Sequence, residues 1–328
     1  MTTPAPLRVG TRGSPLALWQ TTQVCDALAR TGVATEVVII KTTGDVVTDL
    51  PFQQINDPAM FTRQIDEAML EGRIDLAVHS LKDLPTILPA GIEVVAIGER
   101  ADPRDALITR TGGGFETLPR GAKVATSSLR RRAQLLRARP DLEVVETRGN
   151  VDARLKKLER EPDVAATLLA VAGLVRLGLE ARICDRMPYG VMLPAPGQAA
   201  MAVTSRTGHA AAAQPAERAM HDPVTAACVT AERALLRALD GGCEVPVAAL
   251  AELVQPASSV WRRSPGVLRL RARVVSVDGT QCVEGQLAEP VGDLTHATEL
   301  GQRLAARLVA EGAAQILEAL RSPSAKGG

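Results

Sequence analysis

The chain contains few aromatic residues and almost no net charge. Tryptophan, tyrosine and phenylalanine together make up 2% of its 328 residues, and the formal net charge is +1. Proteins that bind RNA or single-stranded DNA usually stack bases on aromatic side chains and carry a strongly basic surface. These two absences argue against such a function, and we expect no nucleic-acid partner.

Metal-binding and disulfide patterns are also missing. The five cysteines are scattered without CxxC spacing, and the four histidines are dispersed. An odd number of scattered cysteines fits reduced thiols, so we expect a cytoplasmic protein without a metal site. The longest apolar run, 165–175, is too short to span a bilayer, and residues 1–6 do not resemble a signal peptide. We therefore expect no membrane partner.

Apolar segments alternate with helical patterns over most of the chain. Leu7 to Thr11 predict a strand, and Ser14 with Pro15 predicts the start of the helix that follows. The same order restarts at 123–138, where an apolar strand is followed by two serines and a second helix. An α/β pattern that repeats in two halves predicts two similar lobes facing each other across a cleft.

One predicted strand in the first half leads directly into a polar cluster. Ile74 to Val78 predict a buried strand, and His79, Ser80, Lys82 and Asp83 follow it. Ligands of open α/β sheets bind at the carboxyl ends of strands, so this cluster is well placed for chemistry. From the pattern alone, a solvated turn is an equally good interpretation of the lysine and the aspartate.

Positive charge is concentrated between residues 120 and 160. This window holds twelve Lys or Arg and five Asp or Glu, an excess of seven in a nearly neutral chain. Four arginines fall where a predicted strand ends and a helix begins: Arg12, Arg130, Arg131 and Arg148. Helix N-termini attract anions, and an arginine there binds a carboxylate or phosphate bidentately. We therefore expect a site for several anionic groups, whereas Arg132, Arg137 and Arg139 fit the solvated face of a helix better.

The last third of the chain has a different pattern. A helix over 223–239, several strands, a hairpin signal at Asp278-Gly279 and a helical stretch over 294–320 predict a small α+β domain. Two glycines precede Cys243 in a turn between the first helix and the first strand. This setting suits a functional thiol, although the spacing alone favours an ordinary buried cysteine.

Eight motifs together resemble the hydroxymethylbilane synthase family, also called porphobilinogen deaminase. They occur in order from Leu7 to Pro246 and are specific as a set. They are Thr11–Gln20, Val78–Pro85, Asp102–Ala106, Thr126–Arg131, Arg148–Val151, Leu169–Leu174, Leu193–Gln198 and Gly241–Pro246.

The resemblance implies a fold of two lobes similar to periplasmic binding proteins, around a cleft, with a small α+β C-terminal domain. The implied division is domain 1 at 1–100 and 198–216, domain 2 at 101–197, domain 3 at 217–321 and a disordered tail at 322–328. It also implies a monomeric transferase of haem biosynthesis. Four porphobilinogen molecules are joined head to tail with loss of ammonia, and water releases the linear tetrapyrrole hydroxymethylbilane.

The resemblance further implies a cofactor and site residues. The family carries a dipyrromethane primer as a cysteine thioether, and Cys243 matches that position. Asp83 matches the catalytic aspartate, which stabilises developing positive charge and moves protons. The residues that match cofactor binding are Lys82, Asp83, Thr126, Ser127, Ser128, Arg130, Arg131, Arg148 and Gly149. Those that match substrate binding are Arg12, Ser14, Gln20, Arg148, Arg154, Arg176 and Gln198.

This chain departs from the family pattern in one segment. The family often has a Gly-Lys-Gly-like sequence before the phenylalanine of the second helix, whereas this chain has Asp57-Pro58-Ala59-Met60 before Phe61. A lysine contact from a lid over the substrate is therefore not expected here. The alternative function is a non-enzymatic two-lobed anion-binding protein, which would share the fold and the basic cleft but need neither Asp83 nor Cys243.

Overall fold

The computed structural model describes residues 5–46, 59–239, 245–255 and 266–321. The chain forms two compact units. The first unit comprises Met1–Ala101 with Ala199–Ala226, and the second unit comprises Asp102–Gln198 with Ala227–Gly328. The three-domain division stays a prediction. Within the described ranges, every helix is too short or too polar to cross a membrane.

The elements are numbered along the chain. The strands are β1 (Leu7–Thr11), β2 (Thr35–Ile39), β3 (Leu76–Ser80), β4 (Ile92–Ile97), β5 (Asp105–Thr109), β6 (Lys123–Ala125), β7 (Glu143–Val145), β8 (Val164–Ala170), β9 (Asp185–Arg186), β10 (Met201–Arg206), β11 (Val247–Gln255), β12 (Gly266–Val275) and β13 (Cys282–Val291). The helices are α1 (Pro15–Arg30), α2 (Thr43–Val46), α3 (Arg63–Leu70), α4 (Leu129–Ala138), α5 (Val151–Arg160), α6 (Val171–Arg176), α7 (Ala210–Met220), α8 (Pro223–Ala238), α9 (Leu294–Ala310) and α10 (Ala313–Arg321).

The first unit is built on a five-stranded sheet in the order β2-β1-β3-β10-β4. Strand β1 pairs in parallel with β2 and β3, and β10 inserts antiparallel between β3 and β4. Strand β10 therefore brings the chain back to the sheet of the first unit. Helix α1 starts as predicted, because Ser14 Oγ accepts a hydrogen bond from the Ala17 amide at 3.3 Å. Its fully buried Val24 and Leu28 pack into the same core as Val9 of β1.

Strand β3 lies two residues further along than predicted. The sequence pattern placed the strand at Ile74–Val78, but His79 and Ser80 also belong to it. His79 is 6% exposed, and its Nε2 lies 3.1 Å from Thr204 Oγ1 on β10. The prediction that His79 belongs to a polar cluster beyond the strand is therefore wrong, because a hydroxyl on the neighbouring strand satisfies the imidazole inside the sheet.

The second unit contains a sheet of the same design, in the order β7-β6-β8-β5-β9. Three parallel strands, β7, β6 and β8, are again followed by an antiparallel strand between two others, here β5. Helix α4 spans 129–138 as predicted, with the Ser128 side chain as its N-cap. The shared strand order confirms the two similar α/β halves expected from the repeat.

A three-stranded antiparallel sheet, β11-β12-β13, forms the C-terminal part of the second unit. The turn at Asp278-Gly279 connects β12 to β13, which confirms the hairpin signal. The helical stretch predicted at 294–320 is two helices, because Gly312 adopts a φ of +107° between α9 and α10. With its two sheet-based halves and this small α+β part, the structure confirms the predicted fold class.

Four of the numbered elements were not predicted, among them the two-residue strand β9. The polar residues at 100–105 predict only a crossover, yet β5 begins at Asp105 and is buried along its whole length. Helix α7 accommodates Pro215, and α2 forms within segment 42–58, whose polar, proline-containing sequence predicts a loop. The remainder of that loop, 47–58, lies outside the described residues.

Candidate active site

The first unit places four predicted site residues at one edge of its sheet. Arg12 and Ser14 directly follow β1, while Lys82 and Asp83 form a 3-10 turn directly after β3. Strands β1 and β3 are parallel neighbours, with Val9 beside Leu76, so their carboxyl ends share this edge. All four residues are partly exposed, so a ligand at this edge can contact them. This is the edge at which open α/β sheets bind ligands.

Two further contacts organise this edge. The Arg12 guanidinium carbon lies 4.4 Å from the centroid of the Phe61 ring, a cation–π arrangement that holds the guanidinium in one plane. Gln20 is 2% exposed, and its Nε2 donates to Ser80 Oγ at 3.0 Å. Ser80 returns a hydrogen bond to Gln20 Oε1 at 3.2 Å. The predicted substrate residue Gln20 therefore links α1 to the end of β3.

The second unit presents three hydroxyl side chains after β6. Thr126 Oγ1 accepts from the Ser128 amide at 3.2 Å. Ser127 Oγ donates to the Thr147 carbonyl at 2.6 Å and accepts from its amide at 3.1 Å. Ser128 Oγ accepts from the Arg131 amide at 3.4 Å. These contacts tie the loop after β6 to the loop after β7 and to the first turn of α4.

Arg130 and Arg131 are buried and surround a carboxylate of the protein itself. Arg130 Nη1 donates to Asp105 Oδ2 at 2.7 Å and to the Leu193 carbonyl at 2.8 Å. Arg131 donates to Asp105 Oδ1 through Nε at 3.1 Å and Nη2 at 2.7 Å. Gln198 Nε2 also donates to Asp105 Oδ1 at 3.0 Å and to the Pro103 carbonyl at 2.7 Å. Sequence reasoning treated the arginines only as ligand groups and missed this internal partner.

Asp105 stays ionised in a fully buried position. Burial by itself raises the pKa of this carboxyl, but the charges and hydrogen bonds of Arg130 and Arg131 outweigh burial and hold the pKa well below its usual range. Two guanidinium groups facing one carboxylate leave an excess of one positive charge. In the part of the chain that the structure describes, Arg130 Nη1 serves both Asp105 and the Leu193 carbonyl.

Four more predicted site residues follow β7 and β8. Arg148 and Gly149 occupy the loop before α5, and Arg154 on α5 donates from Nε to the Gly149 carbonyl at 2.9 Å. Asn150 caps this helix by accepting from the Ala153 amide at 2.9 Å. Arg176 ends the short helix that follows β8, and burial lowers its pKa to about 10.

Four basic side chains between 120 and 160 pair with nearby acids, and two of those acids, Glu161 and Asp163, lie outside the window and lower its excess of seven to five. Lys123 pairs with Asp163, Arg139 with Asp141, Lys156 with Asp152 and Lys157 with Glu161. These residues therefore contribute little net field, since exposed pairs of this kind are also screened by solvent. The arginines at the strand ends remain the better candidates for an anionic ligand.

The loops at the strand ends of the second unit carry donors that suit a polycarboxylate. No group of three or more metal-ligating side chains occurs in the ranges that the structure covers. The loops after β6, β7 and β8 instead supply guanidinium and hydroxyl donors, which fit a dipyrromethane bearing several carboxylates. Cys243, the predicted attachment point, lies outside the described residues.

The sequence matches two family models. Residues 7–214 match "Porphobilinogen deaminase, dipyromethane cofactor binding domain", and residues 226–310 match "Porphobilinogen deaminase, C-terminal domain". A solved periplasmic substrate-binding protein of an ABC transporter from Coxiella burnetii is 19% identical and covers 67% of this chain and 93% of its own, with a TM-score of 0.41.

Curated relatives match nearly the whole chain. A porphobilinogen deaminase from Rubrobacter xylanophilus is 50% identical over 315 residues, covering 96% of this chain and 97% of the relative. One from Moorella thermoacetica is 44% identical over 322 residues, covering 98% of each. At this identity and coverage, the chain belongs to the porphobilinogen deaminase family.

Proposed function

We propose that this protein is a hydroxymethylbilane synthase, a transferase that joins four porphobilinogen molecules on a covalent dipyrromethane primer and releases hydroxymethylbilane for tetrapyrrole biosynthesis. The observation that carries the proposal is the pair of matching sheet edges. One presents Arg12, Lys82 and Asp83, and the other has Thr126, Ser127 and Ser128 after β6, Arg130 in the first turn of α4 and Arg148 before α5. Each pyrrole unit bears an acetate and a propionate, so a growing chain needs such cationic donors.

Asp83 is proposed as the catalytic residue. It lies on the short turn after β3. The backbone of this turn is anchored, because the Leu81 amide donates to the Ala200 carbonyl at 3.0 Å. A carboxylate held near the pyrrole nitrogen stabilises the positive charge that develops when ammonia leaves. The same carboxylate can carry a proton to the departing amine and accept one from the new carbon centre.

The remaining residues are proposed to bind carboxylates and the primer. Arg12, Ser14, Gln20, Arg154, Arg176 and Gln198 serve the substrate, Arg148 serves both, and Lys82, Thr126, Ser127, Ser128, Arg130, Arg131 and Gly149 serve the cofactor. Cys243 is proposed to hold the dipyrromethane as a thioether, and the bound group supplies the carbon nucleophile to which the first substrate is joined. Two glycines precede Cys243 in the sequence, and a glycine has no side chain to crowd a bulky group.

Location and assembly are also proposed. The scattered, odd-numbered cysteines fit a reducing cytoplasm. The low aromatic content and the near-neutral charge support a protein that has no nucleic-acid or membrane partner. We propose a monomer, in keeping with the family.

Intact mass after denaturation tests the function. Wild-type protein from a host that makes porphobilinogen should carry a covalent excess equal to two linked pyrrole units. Cys243→Ser should carry none, whereas Cys184→Ser, which changes a partly buried cysteine elsewhere in the second unit, should be loaded like the wild type. The variant Asp83→Asn should be loaded but turn over about a hundredfold to a thousandfold more slowly.

An unmodified wild type, still unmodified after incubation with porphobilinogen, would reject the synthase assignment. The non-enzymatic anion-binding protein would then become the better explanation of the two basic sheet edges.

A further inference from the structure

We propose that Arg273 on β12 is a positioning residue. It holds the C-terminal sheet, whose first strand follows Cys243 in the sequence, against α4, the helix that carries Arg130 and Arg131. This inference rests on the proposed function and adds to it a residue that lies in none of the matched motifs. All of the contacts that carry it lie within the second unit.

Arg273 is almost fully buried, and most of its hydrogen bonds reach the α/β part of the second unit, outside the C-terminal sheet. Only 8% of the residue is exposed. Its Nη2 donates to the Gly190 carbonyl at 3.1 Å, and its Nη1 donates to the Val191 carbonyl and to Gln134 Oε1, both at 3.2 Å. Glu284 on the adjacent strand accepts from Nε at 2.7 Å and fixes the plane of the guanidinium.

Gln134 connects Arg273 to Arg130, because both α4 side chains bind Leu193. It is 2% exposed and lies on α4, one turn after Arg130. Its Oε1 accepts from the Leu193 amide at 2.9 Å, and its Nε2 donates to the Leu193 carbonyl at 3.0 Å. The same carbonyl accepts from Arg130 Nη1 at 2.8 Å. The Leu193 peptide is therefore held by both α4 side chains, and Arg273 orients one of them.

The other end of the connection leads to the predicted attachment point. Strand β11 begins at Val247, four residues after Cys243 in the sequence. In the antiparallel register of β11 and β12, Ala248 lies opposite Arg273. Arg273 thus joins α4 to the start of the strand that directly follows the cysteine.

A second contact between the same elements supports this coupling. The β12–β13 turn meets the end of α4 so closely that a Cβ atom on Gly279 would lie 2.4 Å from the Arg137 amide nitrogen. The hairpin therefore meets α4 at two places, through Arg273 near the middle of the helix and through the turn at its end. A shift of the hairpin would move the arginines relative to a primer attached through Cys243.

The test compares variants that keep the proposed catalytic and binding residues. Arg273→Met removes the contacts to 190, 191 and 134, Arg273→Lys keeps the charge with fewer donors, and Gln134→Leu interrupts the connection at its other end. Arg269→Met is the matched control, because Arg269 lies on the same face of β12 and pairs with Glu252 of the neighbouring strand. Thermal unfolding would show which variants are folded.

Two readouts separate positioning from a structural role. The first readout is intact mass. It gives the fraction of chains that carry dipyrromethane and, after brief exposure to limiting porphobilinogen, the distribution of chains with one, two or three added pyrroles. The second is the division of the kinetic effect between KM and kcat. Arg273→Met and Gln134→Leu should raise KM about tenfold and shift the distribution of intermediates, with a smaller effect for Arg273→Lys and none for Arg269→Met.

Wild-type KM and an unchanged distribution in folded Arg273→Met and Gln134→Leu, both loaded with cofactor, would overturn the inference alone. If Arg273→Met does not fold, Gln134→Leu decides by the same two readouts. A wild type without any covalent pyrrole would instead reject the proposed function, and the inference with it.

Discussion

His79 is an uncharged residue inside the first sheet, and its neutrality has a consequence for stability. Burial, with a smaller contribution from the charge of Arg12, lowers the pKa of His79 to about 4. The folded state therefore excludes a proton that the unfolded state binds below its ordinary pKa of about 6.5. The stabilisation is complete above that pH and is lost as the pH falls from about 6.5 towards 4.

Asp66 in the same unit has the opposite effect. It is 5% exposed, and burial raises its pKa to about 6, so the folded state takes up a proton as the pH falls. Its contribution is fully present below the unfolded pKa and is lost as the pH rises through 6. Between pH 5 and 7 the contributions of His79 and Asp66 to the free energy of unfolding have opposite signs and partly cancel, so the wild type shows only their difference.

Replacing His79 should reveal the histidine contribution. When the pH is lowered from 7 to 5, the free energy of local opening should fall by about 2 kcal/mol less in His79→Gln than in the wild type, because glutamine does not titrate. Amide hydrogen exchange of β3 and β10 at the two pH values measures this in the first unit. The exposed His221 provides the control variant, His221→Gln, which should follow the wild type; an equal pH effect in His79→Gln would contradict the prediction.

Gly279 shows how an element can be fixed by the space around it. Its φ is +79°, and a Cβ atom there would also lie 2.6 Å from the carbonyl carbon of Leu136. Gly208 has nearly the same φ, +77°, but no atom within 4 Å of such a Cβ. The two positions therefore share the cost of a left-handed backbone and differ only in crowding.

Alanine at these two positions should separate the effects. Gly208→Ala should lower the free energy of unfolding by about 1 kcal/mol, the cost of the left-handed conformation. Gly279→Ala should lose at least about 2 kcal/mol more, because the hairpin must move away from α4. Urea unfolding of both variants measures the difference, and equal losses would show that the hairpin moves without cost.

The charge of the whole molecule limits how a dicarboxylic substrate is attracted. The net charge of +1 provides little long-range field, and several basic residues between 120 and 160 are paired with acids. We therefore expect the attraction to come from the few arginines at the sheet edges, acting over distances comparable to the Debye length of about 10 Å at 0.1 M salt.

Ionic strength should consequently act on binding. Between about 0.1 M and 1 M salt, KM for porphobilinogen should rise several-fold while kcat changes little, because screening weakens contacts with the carboxylates before the chemical step. Steady-state kinetics over this range provide the measurement. Lys156→Ala, which removes an exposed lysine paired with Asp152, should show the same salt response as the wild type. A KM independent of salt would argue against arginine-based binding.

The sequence by itself determined the local structure and the family. Serine caps, the repeated strand-and-helix order and the Asp-Gly turn depend on neighbouring residues, so α4, the Ser14 cap and the β12–β13 hairpin were predicted correctly. The residues at the strand ends followed from the same reasoning, since parallel strands bring their carboxyl ends to one edge. The roles of those residues, including Asp83 and Cys243, stay predictions.

Only the tertiary structure decided which polar groups face each other inside the protein. Asp105 reads as part of a polar turn, yet two arginines and Gln198, distant in sequence, make it the buried start of β5. His79 joins a strand because Thr204, from a strand more than a hundred residues away, lies beside it. Arg273 meets Gln134 for the same reason. Desolvation makes such partners necessary, but a pattern of neighbouring residues does not reveal which distant segment provides them.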